Sequence, residues 1–338
     1  MIEVNITQAS RLIGTYLQAK LVPMIHGSPG IGKSDIVRSI AKEYGLKVID
    51  IRLSQCDPTD LMGFPTIKGN KSGYMPMDTF PIEGDEVPQG YNGWLIFFDE
   101  MNSGTPAVQA AAYKIILDKM IGIYNLHKKV AMVCAGNLET DNAIVNPMST
   151  ALQSRLVHLV LKVDYKEWIK WADENHIDYR LTSYINFKPG NIYTFQPDHS
   201  DMTYSCPRTL AFASRLLDGL DVEDADALPL LAGTLSEGVA RELITFCRID
   251  KSLPKIPQIE ANPEGTPVPA EPSILWALTG SISHHATMSN FGNLLKYIKR
   301  LPREFQVVCL RASVRRNKEL IASSDLQTWI ATTAVALF

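Results

Sequence analysis

The sequence predicts an α/β fold in which a parallel β-sheet is flanked by helices and followed by an all-helical region. Short apolar runs alternate with helical patterns up to about residue 162, as in strands joined by crossover helices. From about residue 163 helical periodicity dominates. At 338 residues the chain exceeds the size at which one core usually keeps growing, so we expect two folded units.

Five apolar runs are the strand candidates of the sheet, and two amphipathic patterns are helices between them. The helix after the first run carries Ile36, Val37 and Ile40 on one stripe and ends at Gly45. The other helix, 106–119, has Pro106 in its first turn. The predicted strands are LVPMIH (21–26), LKVIDIRL (46–53), WLIFF (94–98), KVAMVCA (129–135) and LVHLVLK (156–162).

The chain is accordingly predicted to have four parts. Residues 1–162 form the α/β domain, and residues 163–252 form a helical domain. Residues 253–273 hold six prolines, which predicts an extended linker or surface arm. Residues 274–338 are predicted to be a helical C-terminal extension.

Composition and cysteine spacing exclude several classes of protein. The net charge of −3 gives no overall attraction to nucleic acid or to anionic membranes. Five scattered cysteines without a CxxC pair argue against a disulfide framework or a zinc site and favour a reducing compartment. The first residues lack a signal-peptide pattern, and no run approaches eighteen apolar residues. We therefore expect a cytoplasmic protein without membrane contact.

The most specific motif is a phosphate-binding loop between the first strand and the helix that follows it. It matches GxxxxGK[ST], and its glycines let backbone amides face a triphosphate. Lys33 is expected to reach the β- and γ-phosphate oxygens and Ser34 to ligate Mg²⁺. The predicted cofactors are therefore ATP and Mg²⁺. The predicted nucleotide-binding residues are Gly27, Ser28, Pro29, Gly30, Ile31, Gly32, Lys33, Ser34, Asp35 and Asp99.

Two acidic residues, Asp99 and Glu100, directly follow the buried run 94–98. Parallel strands deliver their last residues to the ligand crevice at the carboxyl edge of a sheet. Asp99 is therefore the second predicted Mg²⁺ residue beside Ser34, and it is expected to hold the ion through its water shell, since Mg²⁺ prefers oxygen ligands. Glu100 is the predicted residue that polarises the attacking water.

Between residues 20 and 215 the sequence resembles the AAA+ superfamily and, within it, the MoxR-like ATPases. The stretch Asp99–Asn102, followed by Pro106, Val108-Gln109 and Ala111-Ala112, resembles the group's DEIN-x-A-x-P-x-V-Q-x-A-L motif. Residues 57–63 (DPTDLMG) are similar to its DLLG segment. Ser103 and Leu138 stand where the family has an Arg and a Pro, so the family's contacts at those two positions are not carried over to this chain.

The resemblance implies three further catalytic residues beside Glu100. Asn137 is similar to the sensor 1 asparagine, which holds the lytic water or the γ-phosphate. Arg155 resembles the arginine finger that one subunit inserts into its neighbour's site. Arg208, in Ser205-Cys206-Pro207-Arg208, resembles the sensor 2 arginine at the start of a lid helix. A helical insert in this branch repositions the lid, so sensor 2 acts in cis or in trans.

The resemblance also implies the partners of the chain. It predicts a homo-oligomeric ring, a hexamer by default, that remodels or assembles a client or adaptor protein, such as one with a von Willebrand A domain. Residues 64–81 and 121–128 are candidate substrate loops, although their aromatic residues would equally serve to pack these loops. The alternative function is a nucleic-acid-dependent motor of the McrB-like type. It is supported by residues 290–320, in which eight basic and two acidic residues give a charge of +6. More often such a patch is a solvated helical face, so we do not favour nucleic acid.

Overall fold

The computed structural model describes residues 2–141, 145–198, 200–249 and 253–333. The chain divides into two compact units. The first comprises Met1–Val163 with Gln196–Asp198, and the second comprises Asp164–Phe195 with His199–Phe338.

The first unit is an α/β domain with ten strands and five α-helices in its described residues. The strands are β1 (Glu3–Val4), β2 (Val22–His26), β3 (Leu46–Arg52), β4 (Phe64–Lys68), β5 (Lys71–Met75), β6 (Gly93–Asp99), β7 (Met120–Ile121), β8 (Tyr124–Asn125), β9 (Val130–Gly136) and β10 (Leu156–Leu161). The helices are α1 (Ile6–Gln18), α2 (Lys33–Glu43), α3 (Pro58–Met62), α4 (Pro106–Asp118) and α5 (Thr150–Gln153). The five predicted strands are confirmed, whereas the sequence analysis did not identify β1 and α1.

Six strands form one parallel sheet in the order β1-β10-β2-β9-β6-β3. The predicted fold class is therefore confirmed. Strand β6 lies between β9 and β3 and is apolar, and Leu95, Ile96 and Phe97 have no exposed surface. Because both faces of a parallel sheet are covered by crossover helices, such a strand has no polar side. The carboxyl ends of β2, β9 and β6 consequently meet at one edge, which positions the candidate site.

Two antiparallel hairpins project from this domain. Strands β4 and β5 pair to form the first hairpin, in the region 64–81 that was predicted as a substrate loop. Its exposed apolar side chains include Phe64, Ile67, Tyr74 and Met75, of which Ile67 is 82% exposed. Strands β7 and β8 form the second hairpin, between α4 and β9.

The second unit is all-helical in its described residues. Two helices and a 3₁₀ turn precede α8, where the family resemblance leaves room for a helical insert. The helices are α6 (Tyr165–Glu174), α7 (Tyr179–Phe187), α8 (Pro207–Leu217), α9 (Ala227–Leu235), α10 (Glu237–Ile249), α11 (Ile256–Ala261), α12 (Pro272–His285), α13 (Phe291–Ile298), α14 (Arg303–Arg316) and α15 (Ser324–Thr333).

The Pro-rich segment 253–273 differs from the extended arm that composition predicts. It contains helix α11, whose Ile259 is completely buried. The guanidinium of Arg300 donates to the carbonyls of Pro263 and Thr266, each at 2.7 Å. The prolines therefore interrupt a folded segment whose backbone carbonyls are hydrogen-bonded by α13 and the turn after it.

A buried ion pair joins α14 to α6 within this unit. Arg316 is 3.2 Å from the carboxylate of Asp173, and its guanidinium also donates to the carbonyl of Ile177 at 2.9 Å. Burial raises the pKa of Asp173, and Arg316 and Arg315 oppose that rise. Two of the eight basic residues in the predicted patch are thus paired with Asp173 and are not free to bind phosphates. Among the described residues, no helix has the length and apolar character needed to cross a membrane.

Candidate active site at the carboxyl edge of the sheet

The phosphate-binding loop runs from the end of β2 into α2, as the motif predicts. Gly30 and Gly32 have φ values of +78° and +95°, a region that side chains with a Cβ rarely adopt. The amide of Gly27 donates to the carbonyl of Gly136 at 3.2 Å, which fixes the start of the loop to β9. Ile31 packs inward, and Asp35 is exposed in the first turn of α2. Backbone amides and the positive end of the helix therefore surround one concave position.

Lys33 connects the loop to the end of β9. This side chain is 9% exposed, and its ammonium donates to the carbonyl of Ser28 and to Oδ1 of Asn137, both at 3.0 Å. It also donates to the carbonyl of Gly27. The ammonium is therefore held at the phosphate-binding loop by oxygen acceptors that a phosphate could replace.

Ser34 and Asp99 lie next to each other although 65 residues separate them in sequence. The Ser34 hydroxyl donates to Oδ2 of Asp99 at 3.0 Å. In an octahedral Mg²⁺ complex with metal–oxygen distances of about 2.05 Å, adjacent oxygen ligands are about 2.9 Å apart. The two oxygens thus have the chemistry and the spacing of adjacent Mg²⁺ ligands.

Glu100 follows Asp99 in an unusual backbone conformation. Its φ is +54°, in the left-handed region, and its amide donates to Oδ1 of Asp99 at 2.9 Å. Its carboxylate accepts a hydrogen bond from the hydroxyl of Ser54. Ser54 lies in the 3₁₀ turn after β3, the parallel neighbour of β6. The sequence analysis missed Ser54, because the pairing of β3 with β6 that brings it to Glu100 is known only from the structure.

The backbone of Asn137 is fixed by Asn102, a buried residue in the turn after Glu100. The Asn102 amide nitrogen donates to the carbonyl of Asn137 at 2.8 Å, and its Oδ1 accepts from the amide of Asn137 at 3.1 Å. A Cβ at Gly136 would collide with the Asn102 side chain. Asn102 therefore aligns the end of β9 with the end of β6.

A second residue that the sequence analysis missed is Asp141, in the loop after Asn137. Its Oδ1 accepts from the hydroxyl of Ser28 at 3.2 Å, and the residue is 9% exposed. No local pattern marks this aspartate, because its partner is 113 residues away in sequence.

The two predicted arginines are both exposed. Arg155 is exposed between α5 and β10, as the resemblance implies, with its guanidinium 5.4 Å from the centre of the Tyr113 ring. Its Nη1 donates to the carbonyl of Ala151 at 2.8 Å. Arg208 is exposed in the first turn of α8, in the helical unit, and Pro207 begins that helix.

The structure thus joins six of the predicted site residues by hydrogen bonds. Lys33 donates to Gly27, Ser28 and Asn137, and Ser34 donates to Asp99. Glu100 is attached through Asp99. Among the described residues, no group of three or more His, Cys, Asp or Glu side chains could hold a metal ion. Any Mg²⁺ would therefore depend on Ser34, Asp99, water and substrate oxygens, as is usual for Mg²⁺ at phosphate sites.

Comparison with known proteins gives a family match over this domain. Residues 23–159 match the model of the ATPase family associated with various cellular activities (AAA). This range begins in β2, ends in β10 and contains the phosphate-binding loop, Asp99, Glu100, Asn137 and Arg155. The family match therefore lies within the α/β domain. No curated protein matches the sequence.

Several solved structures are similar to the chain at low identity. A point mutant of RuvB from Thermotoga maritima is 17% identical, with a TM-score of 0.41, covering 82% of this chain and 80% of that one. An ATPase of unassigned role from Cytophaga hutchinsonii is 16% identical, with a TM-score of 0.38 and coverage of 96% and 87%. NtrX from Brucella abortus, solved in complex with ATP, is 12% identical, with a TM-score of 0.42 and coverage of 98% and 68%.

Proposed function

We propose that this chain carries an AAA ATPase domain, hydrolyses ATP around Lys33 and works in a ring of identical subunits that remodels a partner protein. The observation that carries the proposal is the set of hydrogen bonds joining Lys33 to Asn137 and Ser34 to Asp99. These bonds gather, at one sheet edge, the donor and acceptor groups that phosphoryl transfer to water requires.

Each group has a distinct role in the proposed reaction. The amides of residues 30–34 and the start of α2 hold the β- and γ-phosphates. Lys33 exchanges its carbonyl partners for phosphate oxygens and neutralises their charge. Bound Mg²⁺, held by Ser34 and Asp99, would add positive charge next to the same oxygens.

Glu100 and Asn137 act on the water. Glu100 accepts hydrogen bonds from the attacking water and orients it, and the Ser54 hydroxyl holds its carboxylate in place. The Asn137 amide lies within reach of Lys33 and so of the γ-phosphate position. Neither residue forms a covalent bond, so catalysis rests on positioning and electrostatics.

Arg155 is the residue that links the proposed reaction to a ring of subunits. This exposed guanidinium is directed by Tyr113 and the Ala151 carbonyl on its own subunit. We assign it to the site of the adjacent subunit, where it would stabilise charge developing on the γ-phosphate. Arg208 is assigned to the same phosphate, in cis or in trans. A hexamer is the assembly that the MoxR-like resemblance favours, and the scattered cysteines favour a reducing compartment such as the cytoplasm.

The proposed client is a polypeptide. The β4–β5 hairpin exposes Phe64, Ile67, Tyr74 and Met75, and clustered exposed apolar side chains favour protein contacts. The MoxR-like resemblance suggests an adaptor with a von Willebrand A domain. A nucleic-acid motor is less well supported, because Arg315 and Arg316 of the basic segment are paired with Asp173.

The proposal is tested by three substitutions in the α/β domain. Glu100→Gln is expected to retain ATP binding, abolish turnover and stabilise a ring detectable by sedimentation. Arg155→Ala is expected to lower kcat by roughly 10³ while ATP affinity is unchanged. Arg11→Ala, which removes another exposed arginine, is the matched control and should behave as wild type. Equal turnover of Arg155→Ala and Arg11→Ala would refute the role of Arg155.

The client is sought with the same trapped ring. A pull-down with Glu100→Gln is compared with the double variant that also carries Ile67→Asp, in the exposed tip of the β4–β5 hairpin. We expect a polypeptide to be retained only when Ile67 is present. If the double variant retains the same protein equally well, the hairpin is not the contact.

A further inference from the structure

Two histidines connect the phosphate-binding loop to the segment that carries Arg155. His26 is the last residue of β2 and directly precedes Gly27, and His158 lies in β10. Nε2 of His26 is 2.8 Å from Nδ1 of His158, and their rings stack with centroids 5.1 Å apart. Nε2 of His158 is in turn 2.8 Å from the carbonyl oxygen of Gln153.

The directions of these two hydrogen bonds follow from the final acceptor, the carbonyl oxygen of Gln153. A carbonyl oxygen only accepts, so Nε2 of His158 carries the proton that it donates to Gln153. In a neutral His158 ring Nδ1 is then the acceptor, and Nε2 of His26 is the donor. Burial, followed by His158 and Lys33, lowers the pKa of His26 to about 4, which keeps this ring neutral near pH 7.

Both ends of this series of hydrogen bonds lie in functional segments. At one end, the carbonyl of Gly27 accepts from the ammonium of Lys33. At the other end, Gln153 is the last residue of α5 and stands two positions before Arg155. Helix α5 has only four residues, too few to be stable alone. Its position therefore depends on tertiary contacts such as the buried Leu152 and the bond from His158.

We propose that His26 and His158 are positioning residues that couple the nucleotide state of one subunit to the pose of the Arg155 it lends to its neighbour. The inference rests on the proposed function. The switching element is Lys33, which binds the Gly27, Ser28 and Asn137 oxygens here and would bind phosphate when ATP is present. Releasing the Gly27 carbonyl alters the backbone that holds His26, and the two hydrogen bonds transmit this change to Gln153.

The experiment uses mixed rings of full-length chains. Acceptor subunits carry Arg155→Ala, so they keep a complete site but lend no arginine. Donor subunits lend Arg155 but do not hydrolyse ATP, and two kinds are compared. The Glu100→Gln donor binds ATP, whereas the Ser34→Trp donor, whose indole fills the phosphate position, does not bind ATP but keeps Lys33 on the Gly27 carbonyl. All turnover then comes from acceptor sites served by donor arginines, and tagged acceptors report how much donor is incorporated.

At equal incorporation, we expect the Glu100→Gln donor to support turnover about fivefold or more above the Ser34→Trp donor. Adding His158→Phe to both donors keeps a stacked ring but removes both hydrogen bonds, and should reduce this ratio to nearly one. His158→Asn, which keeps an oxygen for His26 but does not reach Gln153, should do the same. This second variant keeps the test valid if the phenylalanine disturbs folding.

A purely structural role predicts a different result. If His158→Phe lowers turnover equally in acceptors and donors, without changing the ratio between the two donors, the coupling proposal is overturned. It is also overturned if the two donors with intact histidines support equal turnover.

The proposed function fails separately. If Arg155→Ala and Glu100→Gln subunits co-assemble but show no more turnover than either alone, Arg155 does not act in trans. The coupling proposal then falls with it. If they complement each other and the donor ratio survives His158→Phe, only the coupling proposal is wrong.

Discussion

Replacing Asn102 with alanine should both destabilise the α/β domain and slow the proposed reaction. Asn102 is 4% exposed and makes two hydrogen bonds to the backbone of Asn137. Each buried backbone group left without a partner costs about 1–3 kcal/mol, and partial access of water reduces the sum, so we expect a loss of about 2–4 kcal/mol. For a domain of this size, this corresponds to a fall in melting temperature of about 5–15 °C.

The same change should affect catalysis through Asn137. Without Asn102, the end of β9 is no longer fixed to the turn after β6. The side-chain amide oxygen of Asn137, which accepts from Lys33, is then displaced. A displacement of about 1 Å at a catalytic group costs about 10²-fold in rate. We expect kcat to fall by this factor, whereas ATP affinity changes little because the loop amides are unaltered.

Two measurements and a matched control decide the matter. Thermal unfolding gives the stability change. Hydrogen exchange of the backbone amide of Asn137 reports the loss of its acceptor, Oδ1 of Asn102. The control is Asn92→Ala, because Asn92 is an exposed asparagine that donates to the carbonyl of Tyr44 at 2.9 Å. We expect the control to cost less than about 1 kcal/mol. Equal unfolding temperatures for the two variants, or unchanged exchange at Asn137, would refute the reasoning.

Two further predictions concern buried titratable groups. Arg316→Met should destabilise the helical unit by about 3–5 kcal/mol in thermal unfolding, because Asp173 would keep a buried charge without its nearest partner. Arg315→Met is the control, since Arg315 is partly exposed and 3.6 Å from Asp173, and should cost less than about 1 kcal/mol. The free energy of unfolding should also depend on His26, whose pKa of about 4 lies below the value near 6.5 of an unfolded histidine. Because the unfolded chain binds the proton more readily, this stability is complete above pH 6.5 and declines as the pH falls toward 4. Denaturant titrations at pH 7.5 and pH 5 should show a loss about 1–2 kcal/mol larger in wild type than in His26→Phe, and equal losses would contradict the assignment.

The sheet and the phosphate-binding loop could be predicted because their signals are local. Strand β6 is a continuous apolar run, and the loop is a contiguous motif with glycines at Gly30 and Gly32, where the backbone has positive φ. The short β1 strand and helix α1 were not identified. A two-residue strand gives no periodic pattern, and its place in the sheet depends on pairing with β10.

The contacts that complete the site could not be predicted, because they join distant segments. Ser54 meets Glu100 across 46 residues and Asp141 meets Ser28 across 113 residues, and composition carries no information on such pairs. The same limit applies to packing in the helical unit. Trp168 and Trp171 lie on the same helix, but Trp171 is 42% exposed while Trp168 is 3% exposed. Only part of the apolar stripe of this helix is buried, because tertiary packing determines which of its residues are covered.

The composition of residues 253–273 was misleading for a related reason. Six prolines favour an extended arm when no partner is considered. The carbonyls of Pro263 and Thr266 instead accept hydrogen bonds from Arg300. The arginine that appeared to belong to a basic surface patch is thus part of what folds the segment.

The left-handed backbone at Glu100 has a consequence for any attempt to make this protein more robust. A residue with a Cβ gives up roughly 1 kcal/mol in that conformation, which glycine adopts freely. Glu100→Gly would therefore tend to survive a selection for heat resistance that ignores turnover. Libraries screened on melting temperature alone should accumulate inert proteins altered at this position, so such screens need a phosphate-release readout alongside.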